Sequence, residues 1–304
     1  MLHHLNCNII DFSGNYAGLN SSSGVGITEE ELLWAMITVG KRYQRQVLIN
    51  ENFSILEIIN RISLIGSILD LSNSEIYKSV IYKNSDPTEK TFMSFMLGMA
   101  VSKLLSQKLL NVPWLAHLHM LKTPMSYSRN TKSRPDLIGR NSKGDYIIVE
   151  AKGTSGRYND ATQNKALDQL NVIKTVNRTT PILYIASQLY FDTSMSVKFQ
   201  DPEPEQDGLD IEFSDAEFFN AYYYHLRALA NPEFIDYISS HYGVSVKLTD
   251  RLQSAMKSDD LSNFSKIFLD SKGHSESYID SEGFHIFGDG LKIKIVNRNK
   301  FLNY

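Results

Sequence analysis

The chain is short of cysteine, of long apolar runs and of glycine-rich phosphate loops, and each shortage closes off a class of protein. Its single cysteine, Cys7, excludes an internal disulfide and a cysteine-built zinc cage. No apolar stretch approaches the roughly 18 residues that a membrane-spanning helix needs. The start, MLHHLNCNIIDFSGNY, lacks a basic segment followed by a long hydrophobic one, so no secretory signal is expected. No Gly-Lys-Ser or Gly-Lys-Thr phosphate loop occurs, which argues against an ATPase activity in the chain itself. No internal repeat is visible. These absences lead to the expectation of a cytoplasmic protein with no membrane partner.

What is present suits a globular chain. Its 304 residues, 42% hydrophobic and 21% charged, are enough for one large domain or two ordinary ones with a real core. The net charge of -3 predicts no general attraction to nucleic acid, but the charge is unevenly spread. Residues 122 to 165 carry nine basic side chains (Lys122, Arg129, Lys132, Arg134, Arg140, Lys143, Lys152, Arg157 and Lys165) against four acids, a local excess that suits a polyanion. Residues 200 to 217 hold eight acids and no Lys or Arg, and read as an exposed loop leading into a helix.

Residues 1 to 27 show no clear period and read as irregular, with NSSSGVG a loop. Thr28 and Glu31 carry a capping-box signature ahead of EELLWAMITVGKRYQRQVLI, which has helical apolar spacing. SILEIINRISLIGSILDL reads as a second helix and SNSEIYKSVIY as a short third. Asp86-Pro87 opens a long helix, TEKTFMSFMLGMAVSKLLSQKLL, apolar enough to be buried on several sides. The period then changes. VPWLAHLHML, RPDLIG and DYIIVEAKG read as strands, with residues 122 to 133 a polar loop and SKGD a turn. ATQNKALDQLNVIKTV reads as a helix and PILYIASQLYF as a strand rich in β-formers. FFNAYYYHLRALA is a helix with core aromatics, and Gly288-Asp289-Gly290 turns a hairpin in FHIFGDGLKIKIV. The expected fold class is α/β: a mainly helical region over 1–85, a core over 86–192 built as helix, three strands, helix and strand, and an α+β extension over 193–304.

The stretch RPDLIGRNSKGDYIIVEAKGTSG, residues 134 to 156, concentrates the chemistry. Alternate side chains of a strand share a face, so Glu150 and Lys152 point one way with Tyr146 and Ile148. Pairing through the SKGD turn brings Asp136 beside Glu150. Two adjacent carboxylates are costly unless a cation neutralises them. Carboxylate oxygens suit a hard divalent ion such as Mg²⁺, to which the carbonyl of Ala151 can add a ligand. The Lys152 ammonium can orient water and offset charge at phosphorus. The trio therefore reads as a hydrolytic site for a phosphodiester. His117 and His119 share a face of the first strand and read as ordinary strand residues.

Pro135-Asp136 and Glu150-Ala151-Lys152 resemble the two halves of the motif of the PD-(D/E)XK nuclease superfamily, over roughly residues 87 to 190. The resemblance implies a restriction-endonuclease-like core, Asp136 and Glu150 as Mg²⁺ ligands with Mn²⁺ able to substitute, and Lys152 as the catalytic lysine. It also brings Glu89, the acid on the first core helix, into view as a metal ligand. Lys165 and Gln169, on the helix after the motif strand, become groups that reach the scissile phosphate. Nucleic acid is the implied partner, DNA ahead of RNA, in a metal-dependent nuclease suited to bacterial restriction or anti-phage defence, with a protein partner or a second copy. The rival expectation is a non-catalytic nucleic-acid-binding or assembly subunit on the same fold.

Overall fold

The computed structural model describes residues 1–40, 51–121, 134–203, 208–257 and 277–302. It is a mixed α/β structure around a seven-stranded sheet. Strands β1 (Leu2–Ile10) and β2 (Ser21–Thr28) form an antiparallel pair at one edge. Much of residues 1 to 27, expected to be irregular, is therefore regular strand. In β1, Leu5, Cys7 and Ile9 are buried while His4 and Asn6 are exposed, the period-2 pattern of a strand with one covered face. Burial pushes the Cys7 thiol up to about 12, so it packs as a small apolar side chain.

Helix α1 (Glu29–Thr38) starts on the expected capping box. Thr28 Oγ1 accepts from the Glu31 N–H, and Glu31 Oε2 accepts from the Thr28 N–H. The expected continuation through residues 41–50 lies outside the described residues. Helix α2 (Glu51–Ile68) follows. SNSEIYKSVIY, expected to be helical, divides instead. Strands β3 (Leu69–Asp70) and β4 (Tyr77–Lys78) pair, and only Val80–Asn84, capped by Ser79, forms helix α3. Asp86 and Glu89 cap the long helix α4 (Pro87–Leu110), in which residues 96–106 are all buried.

Strands β5 (Trp114–His117), β6 (Leu137–Arg140) and β7 (Tyr146–Gly153), helix α5 (Asp160–Leu170), and strands β8 (Ile173–Val176), β9 (Leu183–Phe191) and β10 (Met195–Gln200) come next. The sheet order is β2-β1-β10-β9-β7-β6-β5, with β7–β9 and β1–β10 parallel and the other neighbours antiparallel. Strands from both sides of residues 86–192 thus enter one sheet. The expected helix over ATQNKALDQLNVIKTV ends at Leu170. Its last residues form β8, which pairs with β11 (Leu209–Ile211). The acidic stretch is likewise divided among structured positions. Asp201 is buried and accepts the Tyr184 N–H at 2.8 Å, and Asp215 pairs with Arg140 at 2.6 Å.

Helices α6 (Asp215–Tyr223), α7 (Pro232–Tyr242) and α8 (Asp250–Lys257) accompany a second sheet in the order β12-β15-β14-β13. Its strands are β12 (Val244–Leu248), β13 (Tyr278–Ile279), β14 (His285–Ile286) and β15 (Leu291–Ile295), and a short α9 (Arg298–Leu302) ends the described chain. Gly290, at φ +89°, turns the expected hairpin. No described helix is long and apolar enough to cross a membrane.

A buried polar network joins these regions. Lys103 on α4 and Asp289 in the hairpin turn are both fully buried. Lys103 Nζ donates to the Pro113 carbonyl at 2.6 Å and to the Tyr222 hydroxyl, which donates to Asp289 Oδ2 at 2.6 Å. The same oxygen accepts Trp34 Nε1 at 2.8 Å, and the Asp289 carbonyl accepts the Tyr223 hydroxyl at 2.6 Å. Burial pulls Lys103 down to about 7, against the opposing charge of Asp289. Asp289→Ala strips the acceptor from Trp34 and Tyr222 and the counter-charge from Lys103. It is expected to destabilise the protein by about 3–5 kcal/mol in urea unfolding. A loss under about 1 kcal/mol would show that the network does not hold these regions together.

Candidate active site

The β6–β7 register, Leu137 opposite Val149, sets Asp136 beside Glu150 as the turn spacing predicts. The Asp136 carbonyl accepts the Leu118 N–H at 2.9 Å, which ties the start of β6 to the turn after β5. On the opposite face of β7, helix α4 crosses at very close range. A Cβ at Gly98 would lie 2.7 Å from the Lys152 carbonyl oxygen, and one at Gly153 only 1.8 Å from the Ser94 carbonyl oxygen. No side chain fits at that crossing. Backbone contact therefore fixes the end of the strand that carries Glu150, Ala151 and Lys152.

Glu150 is fully buried and Asp136 half-buried. Glu150 Oε2 accepts the Asp136 N–H at 2.9 Å, its Oε1 pairs with Lys152 Nζ, and Asp136 Oδ2 accepts the Ala151 N–H at 3.4 Å. Burial, and then the charge of Asp136, push the Glu150 carboxyl up to about 8. Lys152 and the Asp136 N–H act in the other direction without cancelling the shift. Lys152 also donates to Gln169 Oε1 at 2.6 Å, and Gln169 Nε2 donates to the Arg134 carbonyl at 3.2 Å. Gln169 thus spans from the motif lysine to the chain leading into β6.

Other sequence candidates fall elsewhere. Lys165 is exposed on α5, away from the buried side that presents Gln169. Glu89 is exposed, and its carboxylate accepts the Asp86 N–H in the helix cap. The crossing onto β7 begins at Ser94, about 7 Å further along the helix axis. His117 is buried at the end of β5, whereas His119 is exposed in the following 3-10 turn, so the two do not share a strand face. Arg140 is held by Asp215 between the rings of Tyr146 and Phe219, while Lys122, Arg129 and Lys132 lie outside the described residues.

Gln188 was not singled out by its sequence. It sits opposite Lys152 in the β7–β9 register and is fully buried. The signal for it is a long polar side chain inside the apolar run LYIASQLYF.

Among the described residues, no three or more His, Cys, Asp or Glu side chains gather into a metal-binding group. The donor set is therefore the two carboxylates of Asp136 and Glu150. It fits a hard ion that takes one or two protein carboxylates and completes its shell with water and phosphate oxygens, and does not fit a four-ligand zinc site. Such an ion would offset both the burial cost and the Asp136 repulsion that raise Glu150. The chain matches no family model, no curated protein and no solved structure.

Two outcomes follow from this geometry. Gly153→Ala forces α4 off β7 and is expected to cost about 3 kcal/mol in denaturant unfolding. Gly156→Ala, whose Cβ would meet nothing nearer than 3.8 Å, should stay within about 0.5 kcal/mol. Equal effects would mean that the close crossing is not a constraint. The second concerns pH. The unfolded chain ionises Glu150 near 4.5 and the folded chain only near 8, so the unfolded state releases this proton first. Metal-free protein therefore loses stability as pH rises through that interval. Glu150→Gln, neutral throughout, is expected to flatten this decline in Tm measured with a chelator between pH 5 and 8. An unchanged decline would place the repulsion elsewhere.

Proposed function

We propose that this protein is a divalent-metal-dependent phosphodiester hydrolase acting on nucleic acid, with a core of the restriction-endonuclease-like, PD-(D/E)XK kind. The observation that carries the reading is the constellation itself: Asp136 and Glu150 side by side, Lys152 on Glu150, and Gln169 on Lys152. The element order supports it. Among the described residues, helix α4, strands β5, β6 and β7, helix α5 and strand β9 run as helix, three strands, helix and strand, with a 3-10 turn (Leu118–Met120) and the short β8 interposed.

Asp136 and Glu150 would hold the ion, with the Ala151 carbonyl as a further oxygen. When bound, Mg²⁺ or Mn²⁺ supplies the positive charge that stabilises a phosphoryl group during hydrolysis. The chain's own contribution is positional. Burial makes the ionised form of Glu150 costly in the empty site, so a cation is favoured there. Lys152, 22% exposed, holds an ammonium above the fully buried Glu150, where it meets the developing charge of a phosphate. Gln169 fixes that ammonium by accepting one of its hydrogens. Glu89 and Lys165 have no part in this arrangement. DNA is favoured over RNA by the superfamily resemblance alone. A cytoplasmic role in restriction or anti-phage defence, with a partner or second copy supplying recognition, belongs to the same reading.

Supercoiled plasmid, linear duplex, single-stranded DNA and RNA, each incubated with Mg²⁺ or Mn²⁺, test it directly. The parent is expected to cut at least one of them. Asp136→Ala and Glu150→Ala should abolish cutting, and Lys152→Ala should lower the rate by about 100-fold or more while circular dichroism stays unchanged. Cutting by Lys152→Ala at the parental rate would overturn the mechanism. Binding without cutting would assign the fold to a non-catalytic nucleic-acid-binding subunit.

A further inference from the structure

The sheet places one continuous polar row across five strands. Ser22 on β2 lies opposite Asn8 on β1, Asn8 opposite Lys198 on β10, Lys198 opposite Gln188 on β9, and Gln188 opposite Lys152 on β7. Register partners share a face, so all five side chains stand on the face that carries Glu150. The row covers four strand spacings, about 19 Å. Helix α5 covers its inner part, held by Gln169 on Lys152 and by Gln163 Nε2 on Gln200 Oε1 at 3.0 Å. Its outer part is open: Asn8 and Lys198 are half-buried and Ser22 is exposed.

We infer that the open outer part of this face, over Ser22, Asn8 and Lys198, binds a single, unpaired nucleic-acid strand beside the covered end of the row that holds Lys152, an inference that rests on the phosphodiesterase reading above and extends it to the substrate's form. Three observations carry it. First, Gln188 is fully buried between Lys152 and Lys198, and neither its amide oxygen nor its amide nitrogen has a hydrogen-bond partner. A buried amide with both ends unpaired is costly, so packing alone does not account for a polar residue at this point of the row. Second, two cavities of about 410 and 260 Å³ adjoin over the row's outer half and share Asn8 and Tyr190. Third, their walls combine cations with aromatic rings. Lys198 Nζ donates to the Tyr158 hydroxyl at 3.0 Å, Tyr158 meets Tyr190 edge-to-face at 5.4 Å, and Arg157 is held only by an exposed pair with Asp192 at 3.3 Å.

Cationic grooves with aromatic rings are the general device for holding single strands, because every unpaired base has a face to stack. Bases inside a duplex stack on one another and offer no such face to Tyr158 or Tyr190. The remaining groups are neutral amides and hydroxyls able to donate to a phosphate backbone without reading sequence. The Arg157–Asp192 pair is solvent-screened, so exchanging Asp192 for a phosphate is cheap.

Fluorescence polarisation with a labelled 20-nucleotide oligothymidine and a duplex of equal length, on the full chain in chelator to prevent cutting, tests the inference. The single strand is expected to bind more tightly than the duplex. Tyr158→Ala should weaken it about tenfold. Lys198→Ala should lower the slope of log affinity against log salt by about 0.7, the mark of one lost phosphate contact and not of a general loss of structure. Lys143→Ala, on the β6–β7 turn, should change neither quantity, and matching circular dichroism should show every variant folded. Duplex binding as tight as single-strand binding, no binding of either, or indifference to both Tyr158→Ala and Lys198→Ala would overturn it. The two readings separate cleanly. Lys198-dependent binding by a protein that cuts nothing keeps the groove and removes the hydrolase. Cutting that ignores Tyr158 and Lys198 does the reverse.

Discussion

Two backbones meet without a side chain between them where helix α4 crosses strand β7. Gly98 and Gly153 make this possible, since a methyl group on either would press into a carbonyl of the facing element. The consequences spread outward. With α4 seated on one face of β7, only the other face is left for Glu150 and Lys152, and α5 packs on it. The parallel pairing of β7 with β9 then sets Gln188 level with Lys152, and the pairing of β9 with β10 sets Lys198 level with Gln188. A contact with no side-chain chemistry of its own thereby determines which chemical groups line up across the sheet.

The protein buries charge in two places and treats it differently in each. At Lys103 and Asp289 the opposite charges are bridged by Tyr222, and two indole or phenol donors complete the acceptor. Positive and negative are balanced, and the result joins the N-terminal, central and C-terminal parts of the chain. At Asp136 and Glu150 two acids share one ammonium, a surplus of negative charge in a buried place, and burial first, then the charge of Asp136, push the Glu150 carboxyl up to about 8. A fold gains nothing in stability from that surplus, whereas a cation-binding site requires it. The contrast separates a structural polar network from a chemical one within a single core.

The sequence was legible where local rules act over a few residues. Thr28 with Glu31 and Asp86-Pro87 announced their helices, because a helix start needs only neighbours. The hairpin around SKGD and the pairing of Asp136 with Glu150 followed from turn spacing and strand alternation. Legibility failed where pairing is remote or signals are weak. Strand β1 gains its parallel partner from far along the chain, Asn6 against Ser196, and β2 is built largely from serine and glycine, residues of low strand preference. Val172 to Val176 extends an apolar period but leaves the helix to pair with β11. Glu89 is a cap because the helix start needs an acceptor there, and the crossing onto β7 lies further along. Lys165 and Gln169 are four residues apart on one helix, yet burial takes in only Gln169, a distinction that spacing alone does not make.

The strands missed in that reading give the sheet its asymmetry. Strands β7 and β9 are buried along almost their whole length, so Glu150 and Gln188 sit in a low-dielectric interior where one unbalanced charge or one unpaired amide has large consequences. Strand β1 alternates, buried on one face and open on the other. Passing from β7 to β2, the same polar row therefore leaves the interior and reaches solvent without changing face. Glu150 itself is fully buried, while Lys152 beside it stays 22% exposed. The N-terminal hairpin extends the same face beyond the reach of α5. On this argument the first 28 residues, which carry none of the motif, supply the surface that connects the motif to the outside.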